Sequence, residues 1–170
     1  MEVVEQMAEW TDFYIAVAAS ASVLLGLVFI GLSFHLERNR DDAVRGLAIQ
    51  SGTSLFYPLL IALTILIPEG RPNTQAILLG IIGLFGVVSS AAAYSNARTM
   101  HPSTMGLVFR FVLPWVAMAA LVVAAVGLLL DWRAALWLVA GVSFLHIVVG
   151  TQNAWDMLTG GGRGDSAQRP

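Results

Sequence analysis

Ser143, His146, Gly150 and Asn153 recur at intervals of 3, 4 and 3 residues inside the apolar run SFLHIVVGTQNAW. In a helix this spacing puts all four on one face. An imidazole flanked there by a hydroxyl and a carboxamide could handle a proton or an ion, or it could join helices through hydrogen bonds. His146 lies too far from either end of its run to reach water, and a charge at that depth is costly. The neutral ring is therefore expected, one nitrogen donating and the other accepting. Thr53, Tyr57, Ser89, Ser90 and Tyr94 offer partners of the right chemistry. Hydrogen bonding between helices is the expected role of His146, with proton or ion handling as the alternative.

Two further groups could carry charge chemistry. In MEVVEQMAEWTD the carboxylates Glu2, Glu5, Glu9 and Asp12 share one helical face. They could form an acidic mouth for a cation pathway in an oligomer. They could equally be a solvated face, favoured near a helix N-terminus. Arg110 lies close to the start of an apolar run. It is expected to snorkel to the headgroups; the alternative is a cytoplasmic-side ion pair with Asp156 or Glu37. Gln50, Thr53 and Tyr57 share a face near Pro58, a pattern that broken transporter helices use, although no clear matching partner helix occurs.

Other chemistry lacks its residues. The chain has no cysteine, so thiolate metal sites, disulfides and a Cys nucleophile are excluded. No Asp or Glu falls inside the charge-free runs, which argues against a carboxylate proton relay. His35, His101 and His146 belong to different elements, and no HExxH, Walker A, GxSxG or TVGYG motif occurs. No cofactor, metal or catalytic residue is expected. A formal net charge of −2 disfavours nucleic acid as a partner.

The elements that position these residues follow from hydropathy. Only 12% of the 170 residues are charged and 57% are hydrophobic, where soluble domains carry about 25% charged residues. Charge-free stretches run over 13–36, 46–68, 72–97, 111–130 and 134–155. Each can cross a hydrocarbon core of ~30 Å, which takes about 20 helical residues. The expected fold is an all-α, five-span membrane bundle. Residues 1–155 form a single domain with an amphipathic extension over 1–12, and 156–170 form a Gly-rich flexible tail.

The nine basic residues are all Arg. Arg38, Arg40 and Arg45 follow the first span, Arg98 follows the third, and Arg163 and Arg169 lie in the tail; Arg71 and Arg133 fall on the opposite side. The positive-inside rule then places the N-terminus outside and the C-terminus in the cytoplasm. The all-Arg usage fits a GC-rich genome, and with it a bacterial cytoplasmic membrane. Ala18, Ser22 and Gly26, and later Gly83, Gly86, Ser90 and Ala93, form small-residue ridges suited to close helix packing. Packing within the chain is the expected use, and a homo-oligomer seam the alternative.

Residues 9–38 carry Trp10, Asp12, Phe13 and Tyr14, then Gly26-Leu27, Phe29-Ile30 and Leu32-Ser33. This pattern resembles a group of small bacterial integral-membrane proteins, some of them labelled modulators of a membrane-bound AAA protease. The resemblance implies an accessory role and assigns no functional residues. The expected function is a non-enzymatic bundle that binds or regulates another membrane protein. A homo-oligomeric channel or small transporter with the acidic stretch at its outer mouth is the alternative.

Overall fold

The computed structural model describes residues 9–38, 42–68, 71–97 and 112–159, with side chains described over 9–33, 49–68, 71–90 and 112–156. Five helices occur among the described residues: α1 Thr11–Arg38, α2 Asp42–Ile65, α3 Pro72–Ala97, α4 Leu113–Leu129 and α5 Ala135–Thr159. Helix follows from composition, because an apolar solvent leaves backbone N–H and C=O groups no partner but each other. Thr11–Ser33, Pro72–Ser90 and Ala135–Asp156 are long and apolar enough to cross a membrane; Ile49–Ile65 of α2 and all of α4 are shorter apolar stretches. Three such helices in one short chain mark a membrane protein. Large apolar side chains point outward as well as inward, among them Phe29, Phe85, Trp137 and Phe144. That is how a helix bounded by lipid on one side and by protein on the other is built.

The helices are not arranged in simple chain order. α2 packs most extensively on α5, α3 on α4, α1 on α2, and α4 on α5, while α2 meets α3 and α1 meets α5 more slightly. The chain therefore forms a ring of α2, α5, α4 and α3, with α1 outside it against α2 and the edge of α5. The core inside the ring includes Ile61, Leu79, Met118, Leu121, Leu128, Leu136 and Val139. α1 is anchored at its start, where the Tyr14 hydroxyl donates to the Leu136 carbonyl at 3.4 Å and Trp10 sits edge-on to Trp137 at 4.7 Å.

Small residues decide where backbones touch. A Cβ added at Gly83 would meet Val122 and Met118 of α4, and one at Gly86 would meet Met118. The α3 ridge is thus used inside the chain, over the part described. The α1 ridge is not: Ser22 and Gly26 are exposed, and a Cβ at Gly26 would meet nothing within 4 Å. This differs from the expected use of the ridge for packing within the chain. α1 packs mainly on α2 and to a smaller extent on α5, and over its described side chains it buries a stripe of Tyr14, Val17, Ala21 and Val28.

Helix ends are closed by specific bonds. Gln75, in the first turn of α3, donates its side-chain N–H to the Ile65 carbonyl at 3.0 Å and so satisfies the last turn of α2. Between α4 and α5, the Trp132 N–H reaches back to the Gly127 carbonyl (2.8 Å) and the Asp131 N–H to the Leu128 carbonyl (3.3 Å). This is a Schellman motif, and Asp131 takes its left-handed position with φ 54°. Gly127 is needed because a Cβ there would lie 2.5 Å from the Trp132 ring that folds over the helix end.

Asp131→Gly should therefore raise stability by about 1 kcal/mol, the left-handed penalty of a residue with a Cβ. Gly127→Val should lower it by about 1–3 kcal/mol through overpacking. Thermal unfolding in detergent micelles measures both; equal midpoints for the two variants would contradict the motif.

Candidate functional site

The polar residues of α5 meet α2 along an antiparallel seam. Tyr57 lies edge-on to His146 with ring centres 5.6 Å apart, and a Cβ added at Gly150 would strike Leu55 and Ser54. That register carries Asn153 to the level of Gln50 and Ser51. Ser143, His146 and Asn153 are all buried, at 0%, 1% and 3% exposure. Ser51 and Ser54 line the α2 side and are buried too. Gly150 is what permits this: with no side chain between them, the two backbones approach closely where their small polar residues face one another.

The directions of the hydrogen bonds follow from counting hydrogens. The Ser143 hydroxyl donates to the Val139 carbonyl at 3.0 Å. His146 Nδ1 lies 3.0 Å from the Val142 carbonyl, which can only accept, so Nδ1 carries the hydrogen. Nε2 is then a bare acceptor, and among the described residues neither it nor the Asn153 amide N–H donors, both buried, have a hydrogen-bond partner. Ser89 gives its hydrogen to the Gly86 carbonyl at 3.1 Å. The Tyr57 hydroxyl must therefore donate in the 2.9 Å bond that it shares with Ser89. Tyr57–Ser89 is an interhelical bond between α2 and α3; His146 bonds within its own helix.

His146 was expected to reach a hydroxyl across the bundle, and the structure places it otherwise. The carbonyl one turn back is the nearest acceptor to a helical imidazole, and Tyr57 spends its O–H on Ser89. Thr53 is exposed, bonds to the Ile49 carbonyl at 2.8 Å, and faces away from the seam. Ser90 is half-buried beside Ser89, and the side chain of Tyr94 lies outside the described residues. Gln75, Ser51 and Ser54 were missed by sequence reasoning. Serines inside a helix that is apolar on every side give no periodic signal of which side they face.

The charged groups are scattered. Glu9 and Asp12 are exposed at the start of α1, the outermost helix, while Glu2 and Glu5 lie outside the described residues. Asp156 is half-buried near the end of α5; Arg110, the residue expected to pair with it or with Glu37, and the side chain of Glu37 lie outside those described. Among the described residues, no three His, Cys, Asp or Glu side chains gather in a way that could hold a metal ion.

A second feature lies on the opposite side of α2. Between α1, α2 and α3 runs an apolar groove of about 730 Å³, with Leu32, Gly52, Thr53, Leu60 and Phe85 among its walls. It exists because α3 turns its small-residue face to α4 while α1 leans on α2, so neither closes against the other. No known protein family matches the chain, and no characterised protein or solved structure is similar to it.

Tyr57→Phe should destabilise the bundle by about 0.6 kcal/mol and at most ~1.7. Ser89→Ala should cost a similar amount, and the double variant no more than the larger single one. His146→Leu removes a buried acceptor that has no partner, so unfolding midpoints should be unchanged or higher. A loss for His146→Leu larger than that for Tyr57→Phe would show that the seam is bonded differently.

Proposed function

We propose that this chain is a five-span, non-enzymatic membrane bundle, with its N-terminus outside and its C-terminus in the cytoplasm, that serves as an accessory or regulator of another membrane protein. The observation that carries this reading is how the buried hydroxyls are spent. Ser143, Tyr57 and Ser89 each donate to an acceptor inside the bundle. A conducting path needs polar groups left free to replace an ion's hydration shell. Acid–base catalysis needs a donor and an acceptor aimed at a common point. The described hydroxyls of the seam are spent on neighbouring acceptors, within a helix for Ser143 and Ser89 and between helices for Tyr57, which is how a packed bundle satisfies its polar groups. The exposed small-residue face of α1 supports the same reading, because it leaves the outermost helix free to take a neighbour in the bilayer. The bacterial cytoplasmic membrane is the proposed location.

Single cysteines can be placed in this cysteine-free chain. Gly70→Cys and Thr99→Cys should react with a membrane-impermeant maleimide from opposite sides of sealed vesicles. Labelling of both from one side would overturn the five-span topology. Reconstituted into planar bilayers, the protein should pass no more current than lipid alone. A cation current abolished by Glu9→Gln with Asp12→Asn would replace this reading with the channel.

A further inference from the structure

We infer that the tryptophans form two belts seated in the headgroup–acyl boundaries of a bilayer, Trp10, Trp132 and Trp137 in one leaflet and Trp115 and Trp155 in the other. The inference rests on the membrane reading above and adds to it the surface by which lipid fixes the depth of the chain.

Placement is the first argument. The chain has five tryptophans, and tertiary packing sorts them into two levels. α4 and α5 pack on one another and are joined by the tight turn at Asp131, so the end of α4 and the start of α5 share a level. Trp132 lies in that turn and Trp137 in the first turn of α5. Trp10, just before α1, reaches the same level, since its ring lies 4.7 Å from that of Trp137. Trp115, in the first turn of α4, and Trp155, near the end of α5, lie at the opposite level. Trp10 is half-buried and the other four are exposed.

Spacing is the second argument. From Trp137 to Trp155 is 18 residues, or about 27 Å at a helical rise of 1.5 Å per residue. α4 has 17 residues, or about 26 Å by the same rise. Both lengths are close to a hydrocarbon core of ~30 Å. Residues 116–130 and 138–154, between the two levels, contain no Asp, Glu, Lys or Arg, whereas Asp131, Arg133 and Asp156 lie at the levels themselves. The belts therefore make α4, the shortest of the five described helices, a full span.

Chemistry is the third argument. Indole is a large apolar body with a single N–H donor. At the boundary the body meets acyl chains while the N–H meets headgroup oxygens and water; at mid-depth that N–H would find only hydrocarbon. His146 lies midway between Trp137 and Trp155, and it touches Tyr57, which bonds to Ser89. The exposed aromatics near that depth are Phe56, Phe85 and Phe144, none of which has a donor. Packing alone would not sort exposed rings by whether they carry an N–H.

Tryptophan emission reports depth, and the wild-type chain is sufficient for the first measurement. In phosphatidylcholine vesicles, lipid brominated at the top of its acyl chains should quench that emission about twice as strongly as lipid brominated near the chain ends. Phe144→Trp replaces one exposed ring by another between the belts. Its added emission should be quenched chiefly by the chain-end bromines, so the difference between the two lipids should shrink.

Equal or stronger quenching of wild type by chain-end bromines would overturn the inference, as would a Phe144→Trp variant with the wild-type ratio. Quenching by neither lipid in a chain that resists carbonate extraction would assign the tryptophans to a protein neighbour instead. Carbonate extraction separates failure of the belts from failure of the membrane reading. Wild-type chain released into the aqueous fraction would sink both, whereas chain that stays in the membrane with its tryptophans quenched from the chain ends sinks the belts alone.

Discussion

Lipid cannot hydrogen-bond, and the architecture follows from that constraint. Each polar group carried into the bundle must find its partner inside the chain, and in this protein most find it within one turn of their own helix. Thr53, Thr64, Ser143 and Thr151 all donate to the carbonyl four residues back. Such bonds neutralise the hydroxyl but do not hold two helices together. The work of joining helices falls to a small number of contacts across them: Tyr57 to Ser89, Tyr14 to Leu136, and Gln75 to Ile65. Between these points, close approach at glycine supplies the rest.

The glycine contacts explain why the ring closes unevenly. Gly150 brings α5 onto α2, and Gly83 with Gly86 brings α4 onto α3. No glycine contact draws α3 onto α2, which meet at the Tyr57–Ser89 and Gln75–Ile65 bonds, and α1 has no glycine contact with either, among the described residues. Dispersion attraction falls steeply once a gap opens, so the tight pairs dominate and the loose boundary is left as a groove. The tight seam and the open groove are two results of one distribution of small residues.

Tyr57 stands between these two features. One side of its ring lies against His146, another borders the groove, and its hydroxyl ties α2 to α3. His146 itself is placed by packing rather than by a bond across the seam. Its Nε2 lone pair and the Asn153 amide N–H donors are polar groups buried without partners among the described residues. An unmade hydrogen bond at such depth costs more than a typical bond contributes. The seam therefore owes its stability to the fit at Gly150 and to the Tyr57 ring, not to the residues that look most chemical in the sequence.

Much of this is legible in the order of the amino acids. Charge-free runs mark the helices and their approximate ends, and the 3, 4, 3 spacing of Ser143, His146, Gly150 and Asn153 marks a face that is indeed buried. Both are local properties: one depends on composition along the chain, the other on a helical period that holds whatever the neighbours are. Neighbours are what the sequence could not supply. It offered five hydroxyls to His146, and tertiary packing gave Tyr57's O–H to Ser89 and left the imidazole to its own helix. It offered two small-residue ridges, and packing used the one on α3 and left the one on α1 open. In helices that are apolar all round, hydropathy does not distinguish lipid from protein. Which face turns inward is settled only when surfaces of several helices must fit one another, and that fit involves residues far apart in the chain.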